Sequence, residues 1–149
     1  MTTVRNPRIA AWAAALAISL SAACTKSVES GPLAARVTAF VTAYNARDAA
    51  AMMTMVTEDV RWLSVDGPTV YIEATGRPAL EAAMLGFFAG DPRPPSRMRI
   101  VREDGNYVFG VEEIVRDRAH VNGNQCSVVV YEFEAESISK VWYYPAYAC

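Results

Sequence analysis

The segment YVFGVEEIVRDRA, residues 107–119, carries the sharpest candidate in this chain for moving a proton. Read as a strand, it places Tyr107, Phe109, Val111, Glu113 and Val115 on one face, with Glu112, Arg116, Arg118 and His120 on the other. A carboxyl group on an otherwise apolar face would be desolvated, its pKa would rise, and it could act as general acid or base toward a carbonyl-bearing ligand. The same residue has a structural reading, in which Arg99 or Arg102 neutralises it or a strand end leaves it wet. Asp117 lies nearer the strand end, where water reaches it, and Asp66, beside Gly67, reads as a turn former. Around Glu113 the aromatic residues suggest a binding cavity: Trp62 and Ser64 from a first strand, Tyr131 and Phe133 from a fifth, Trp142 and Tyr144 from the last. The alternative is that these rings fill the core. Val141 and Tyr143 are apolar too, so the last strand fits either way round.

The cysteines bear on location. Arg5 and Arg8 precede an uncharged run from Ile9 to Ala23, the pattern of a signal peptide over residues 1–23, and small residues lead directly into Cys24. Small residues before a cysteine resemble the bacterial lipobox, which implies a Cys24 that becomes the mature N-terminus and carries lipid. Ordinary cleavage near Ala22 or Ala23 is the alternative. Acyl chains, at about 0.8 kcal/mol per buried methylene, would hold the domain on a membrane surface without a spanning helix. The expected location is the periplasm or the bacterial outer membrane surface. In such an oxidising compartment, lipidation of Cys24 leaves Cys126 and Cys149 as an even pair able to form a disulfide. Three buried free thiols are the competing reading. No Cys-x-x-Cys occurs and His120, the sole histidine, has no ligand-like neighbour, so neither a metal nor a cofactor is expected. The formal charge of −2 at pH 7 becomes more negative once Arg5 and Arg8 are removed, which argues against nucleic acid as a partner.

These groups need elements to position them. Residues 24–31 are polar and small, a tether. Pro32 opens a helix whose stripe is Leu33, Val37, Phe40, Val41 and Tyr44, and Asp48 caps a short second helix with Met52, Met53 and Met55. Two strands follow, DVRWLSV and TVYIEA, about a Gly67-Pro68 turn; Gly76-Arg77-Pro78 then opens a third helix carrying Leu80, Met84, Leu85, Phe87 and Phe88. A proline-rich loop, GDPRPPS, leads into four strands turning at Asp104-Gly105-Asn106, Asn122-Gly123 and near Glu136. The class is α+β: three helices in the N-terminal half packed on a strongly curved, mostly antiparallel sheet, one domain over residues 32–149. For Tyr107, Phe109 and Glu113 to share a face with Val129, Tyr131 and Phe133, the intervening loop must hold an odd number of residues. A three-residue loop with Gly123 in the left-handed region would place Glu113 opposite or diagonal to Tyr131. Pro145 stops the last strand, and a tail that bends would bring Cys149 to Cys126, closing a loop worth about 3 kcal/mol.

Three stretches, AYNARD (Ala43 to Asp48), TEDVRWLS (Thr57 to Ser64) and ATGRPAL (Ala74 to Leu80), make the chain resemble the nuclear transport factor 2-like superfamily, the cone-shaped fold of ketosteroid isomerases and SnoaL-like polyketide cyclases. The resemblance implies a sheet wrapped around a deep pocket. It also implies where isomerase chemistry would sit: a tyrosine, an aspartate base and a protonated aspartate. The corresponding positions here hold Phe40, Ser64 and Val129. The expected role is therefore a cell-envelope domain that binds a small hydrophobic ligand or a protein partner. The alternatives are an isomerase, cyclase or hydratase acting on a small hydrophobic carbonyl compound through Glu113, and a structural module that homodimerises through its exposed sheet face.

Overall fold

The computed structural model describes residues 31–90, 94–116 and 123–149. The expected signal peptide, Cys24 and the tether before Gly31 lie outside the described residues, as do Asp117, Arg118, His120 and Asn122. In chain order the elements are α1 (Pro32–Asn45), α2 (Ala49–Met53), β1 (Val56–Asp66), β2 (Thr69–Thr75), α3 (Arg77–Phe88), β3 (Ser96–Asp104), β4 (Tyr107–Ile114), β5 (Gln125–Glu134), β6 (Ser137–Tyr143) and β7 (Tyr147–Ala148). The sheet runs β2-β1-β6-β5-β4-β3, with β7 added to β5, and among the described residues only the β1/β6 pair is parallel. This is the expected α+β architecture.

Local chemistry explains the helices. Pro32 occupies the first turn of α1, where a missing N–H costs nothing. The cap comes from across the fold: Glu103 of β3 accepts from Ala34 N at 2.9 Å, placing a carboxyl at the positive end of the helix. Gly31 makes room for it, because a Cβ there would meet the Glu103 carboxyl. Asp48 caps α2 through Ala51 N, at 2.8 Å, as its position before the methionines suggests. The core lies between the helices and one sheet face, where Val37, Phe40, Met52 and Leu80 meet Val60, Val108, Val129, Tyr131, Phe133, Ile138 and Val141.

The register overturns one expectation. Val108 pairs with Tyr131, Gly110 with Val129 and Glu112 with Ser127, so inward positions are even on β4 and odd on β5. The connection is not a three-residue loop; β4 ends at Ile114 and the link runs from 115 to 124, an even count. Gly123 does take φ +58°, in the left-handed region. Tyr107 and Phe109 consequently face outward, and Glu113 pairs with Cys126 rather than standing near Tyr131.

Two further details shape the site. Trp62 pairs with Ala74 and Leu63 with Ile72, so Glu73 is the extra residue of a β-bulge in β2. Beyond β6, Tyr144 N donates to Val128 O (3.0 Å), the tail returns as β7 along β5, and Cys149 is disulfide-bonded to Cys126.

Candidate functional site

Between α1, α3 and the inner face of the sheet lies a cavity of about 490 Å³, within the usual range for small-molecule sites. Its apolar wall comes from Phe40 and Val41 of α1 and from Leu80, Met84 and Phe87 of α3. Opposite them stand Trp62 of β1, Tyr131 of β5 and Tyr143 of β6. The rings hold one another in place. Trp62 stacks on Tyr143 with centroids 5.2 Å apart and planes at 22°, and the Phe40 ring meets Tyr131 edge-on at 6.3 Å.

One polar network is set into this wall. Glu112, buried on the inward face of β4, accepts from Tyr143 Oη at 2.5 Å through one oxygen and from Ser96 Oγ through the other. Ser96 is itself held by Asn45 at the end of α1: Asn45 Nδ2 donates to Ser96 O (2.7 Å) and Ser96 N donates to Asn45 Oδ1 (2.9 Å). The asparagine of AYNARD thus fixes the start of β3 and, through it, the Glu112 carboxyl. The Tyr131 and Tyr143 phenols lie close enough to perturb each other's ionisation. Burial, first of all, pushes both pKa values up; the Glu112 carboxyl adds to this for both, and Tyr131 adds further for Tyr143. Tyr131 Oη, buried, makes no well-formed hydrogen bond among the described residues: it interacts loosely with the Tyr143 phenol, whose own bond goes to Glu112.

Three of the residues expected at a pocket, Trp62, Ser64 and Tyr131, line this cavity. Phe133 is buried in the core and is not part of the cavity wall. Trp142 and Tyr144 lie on the outer sheet face, in a separate groove of about 330 Å³ shared with Tyr107 and Phe109; Tyr143 is the residue at the end of β6 that turns inward.

Glu113 requires a correction. Its side chain is only 4 % exposed, but it points away from the cavity into a cationic cluster: Arg97 Nε lies 2.7 Å from Oε2, Arg99 Nε 3.7 Å, and Asn124 Nδ2 donates to Oε1 at 2.7 Å. Its pKa is lowered, not raised, because the Arg97 hydrogen bond, helped by Asn124 and both guanidinium charges, outweighs desolvation. Arg97 is raised in return. The β4 carboxyl that does reach the cavity is Glu112, one residue earlier. Only the strand register distinguishes two adjacent glutamates, and the register depends on a loop that parity alone misjudges. Among the described residues no group of three His, Cys, Asp or Glu side chains is placed to hold a metal.

A model of the SnoaL-like domain matches residues 37–141. No curated protein matches the chain. Among solved structures, an uncharacterised cystatin-fold protein from Novosphingobium aromaticivorans superposes with a TM-score of 0.64 at 22% identity, over 76% of this chain and 97% of that one. A proposed polyketide cyclase from Xanthomonas campestris pv. campestris gives 0.56 at 17% identity, over 76% and 90%. A proposed ketosteroid isomerase from Kribbella flavida gives 0.56 at 18% identity, over 79% and 82%. At these identities the likeness is one of fold.

Proposed function

We propose for this chain, which belongs to the family of SnoaL-like domains, the binding of a small, flat, hydrophobic molecule that carries a hydrogen-bond acceptor such as a carbonyl oxygen. The observation that carries this reading is the Tyr131 hydroxyl, buried in the wall of an aromatic cavity without a well-formed hydrogen bond among the described residues. An unsatisfied buried donor costs about 1–3 kcal/mol, and a ligand acceptor seated beside it would recover that cost on binding. The chain shares its fold with a proposed polyketide cyclase and a proposed ketosteroid isomerase, and a pocket of this fold is compatible with such a ligand.

Glu112 supports a second reading, proton transfer to or from the bound molecule, since it is the carboxyl set deepest in the cavity wall. Both its oxygens already accept from protein hydroxyls, which favours a role in orienting Tyr143 and places binding ahead of turnover. Calorimetric titration with 2-acetylnaphthalene and its hydrocarbon counterpart 2-isopropylnaphthalene tests the first reading. The ketone binds about tenfold more tightly, a difference that Tyr131→Phe removes. Equal affinities in the wild type would overturn it. Turnover of the ketone abolished by Glu112→Gln would move the conclusion to the second.

We propose further that the protein is exported and carries lipid on Cys24. The Cys126–Cys149 disulfide supports this, being a bond that persists in oxidising compartments. Intact mass of membrane-extracted protein tests it: acyl chains on an N-terminal Cys24 are expected, and a product beginning after Ala22 or Ala23 without lipid would refute it. Self-association through the outer sheet face is also proposed. Tyr107, Phe109, Val128 and Tyr144 are exposed there, and two of its charge pairs are formed within the chain, Glu132 with Lys140 and Glu113 with Arg97. A monomer by light scattering at 100 µM, a concentration on the order of that reached by weak complexes, would exclude it.

A further inference from the structure

Glu73 is brought to the cavity by a backbone irregularity rather than by strand alternation. In a regular strand, neighbouring side chains point to opposite faces. Here Glu73 and Ala74 both line the cavity, which the bulge between the Trp62–Ala74 and Leu63–Ile72 pairs allows by inserting Glu73 as the unpaired residue. Ala74 is buried and Glu73 exposed, so the glutamate stands at the opening and the alanine behind it. Bulges re-aim side chains next to sites, and this one directs a carboxylate at the entrance of an otherwise aromatic chamber.

The charge balance of the chamber follows. Among the described residues that line it, Glu73 and Glu112 are acidic and none is basic. The nearest arginine along β4, Arg116, lies two residues past the lining residue Ile114 and commits its guanidinium to Gln125 Oε1 at 2.7 Å. Arg77, at the start of α3, is turned to Glu58 at 2.7 Å and to the Val56 carbonyl at 2.9 Å. Phe87 and Trp62 also line the cavity, and aromatic ring faces attract cations and not anions. An anionic ligand meets a like charge on entering and finds no cation among the described lining residues.

We propose that Glu73 sets ligand specificity, selecting molecules that pair the buried acceptor end with a protonated amine at the opening, over neutral and especially carboxylate-bearing analogues. This rests on the cavity being a binding site for acceptor-bearing hydrophobic molecules, and adds to it the chemistry of the ligand's outer end. At a solvent-exposed opening the ion pair is worth little in absolute terms, so the signature is a modest ratio that depends on salt.

The test uses three 2-acetylnaphthalenes that differ only at position 6, bearing methyl, aminomethyl or carboxyl, titrated calorimetrically into the disulfide-bonded protein. The amine is expected to bind about threefold more tightly than the methyl compound, and the carboxylate about threefold more weakly. Both ratios shrink toward one in 0.5 M salt. Glu73→Gln brings the amine-to-methyl ratio near one, and Glu73→Lys inverts the order of amine and carboxylate. If all three compounds bind the wild type alike, or if the order survives Glu73→Gln and Glu73→Lys, the specificity role is refuted while the binding cavity stands. If none of the three binds, the cavity reading fails and this inference falls with it.

Discussion

Replacing Tyr131 by phenylalanine is expected to strengthen the unliganded protein while weakening its hold on a ligand. Tyr131 is fully buried and its ring packs on Phe40. In the unfolded chain water satisfies that hydroxyl; in the folded chain no described residue forms a well-formed hydrogen bond with it. Removing it eliminates a desolvation penalty of about 1–3 kcal/mol and leaves the ring packing in place. A gain of about 1–2 kcal/mol, for a domain of this size, raises Tm by roughly 4–8 °C. Urea unfolding followed by circular dichroism measures it, and an unchanged m value assigns the difference to stability rather than to compactness. The same variant loses about tenfold in affinity for 2-acetylnaphthalene, because the acceptor no longer meets a donor.

Tyr143→Phe is the contrasting case. Its hydroxyl is bonded to Glu112 at 2.5 Å, so its removal leaves a buried carboxyl short of a donor and costs about 1–3 kcal/mol. Two tyrosines in one wall, mutated identically, thus move stability in opposite directions. A loss of 1 kcal/mol or more in Tyr131→Phe would show that this hydroxyl is bonded in the folded protein. That outcome would remove the reason for expecting a ligand acceptor beside it.

Three other perturbations follow from the same geometry. Cys149→Ser opens a loop of sequence separation 23 and is expected to cost about 3 kcal/mol by the chain-entropy relation; chemical reduction of the wild type should match it, and a loss under 1 kcal/mol would mean that the β7 pairing alone holds the tail. Glu103→Ala removes the carboxyl that caps α1 at Ala34 N and costs about 1 kcal/mol in urea unfolding, with Glu103→Gln intermediate; no loss would mean that water replaces the cap. For Glu113, whose folded-state pKa is depressed chiefly by the Arg97 hydrogen bond, the stabilisation is present above the unfolded glutamate pKa and is lost as pH falls through the folded value. The stability difference between wild type and Glu113→Gln should therefore narrow below about pH 4; a difference independent of pH between 3 and 7 would contradict the assignment.

How much of this was legible in the sequence depends on whether the signal is local. The Pro32 start of α1, the Asp48 cap, the Gly67 turn and the Gly76-Arg77-Pro78 entry to α3 are decided by residues within a few positions of one another, and all occur. The cysteine count anticipated the Cys126–Cys149 bond because pairing leaves few choices once one thiol is set aside. The Glu103 cap on α1, the Asn45–Ser96–Glu112 chain and the Glu73 bulge were not visible, since each joins elements distant in sequence and no local pattern encodes the meeting.

The choice of Glu113 over Glu112 has a more particular cause. On a sheet with one solvated face, alternation separates inside from outside without reference to register. β4 lacks that asymmetry: its outward positions are Tyr107, Phe109 and Val111, and its inward positions include Val108, Gly110 and Ile114, so the outward set is the more hydrophobic of the two. β5 repeats the pattern, with Val128 and Val130 facing out beside inward Val129 and Tyr131. Had the outer face been polar, parity would have pointed directly to Glu112. The feature that hid the inner carboxyl is therefore the one that motivates a partner for the outer face: Phe109, 41 % exposed, has no reason to be aromatic if it meets only water. The two questions can be separated by experiment. Phe109→Lys should leave the Tyr131-dependent preference for the ketone unchanged while disrupting self-association, whereas a change in ligand binding would mean that the two faces of the sheet are energetically coupled through β4.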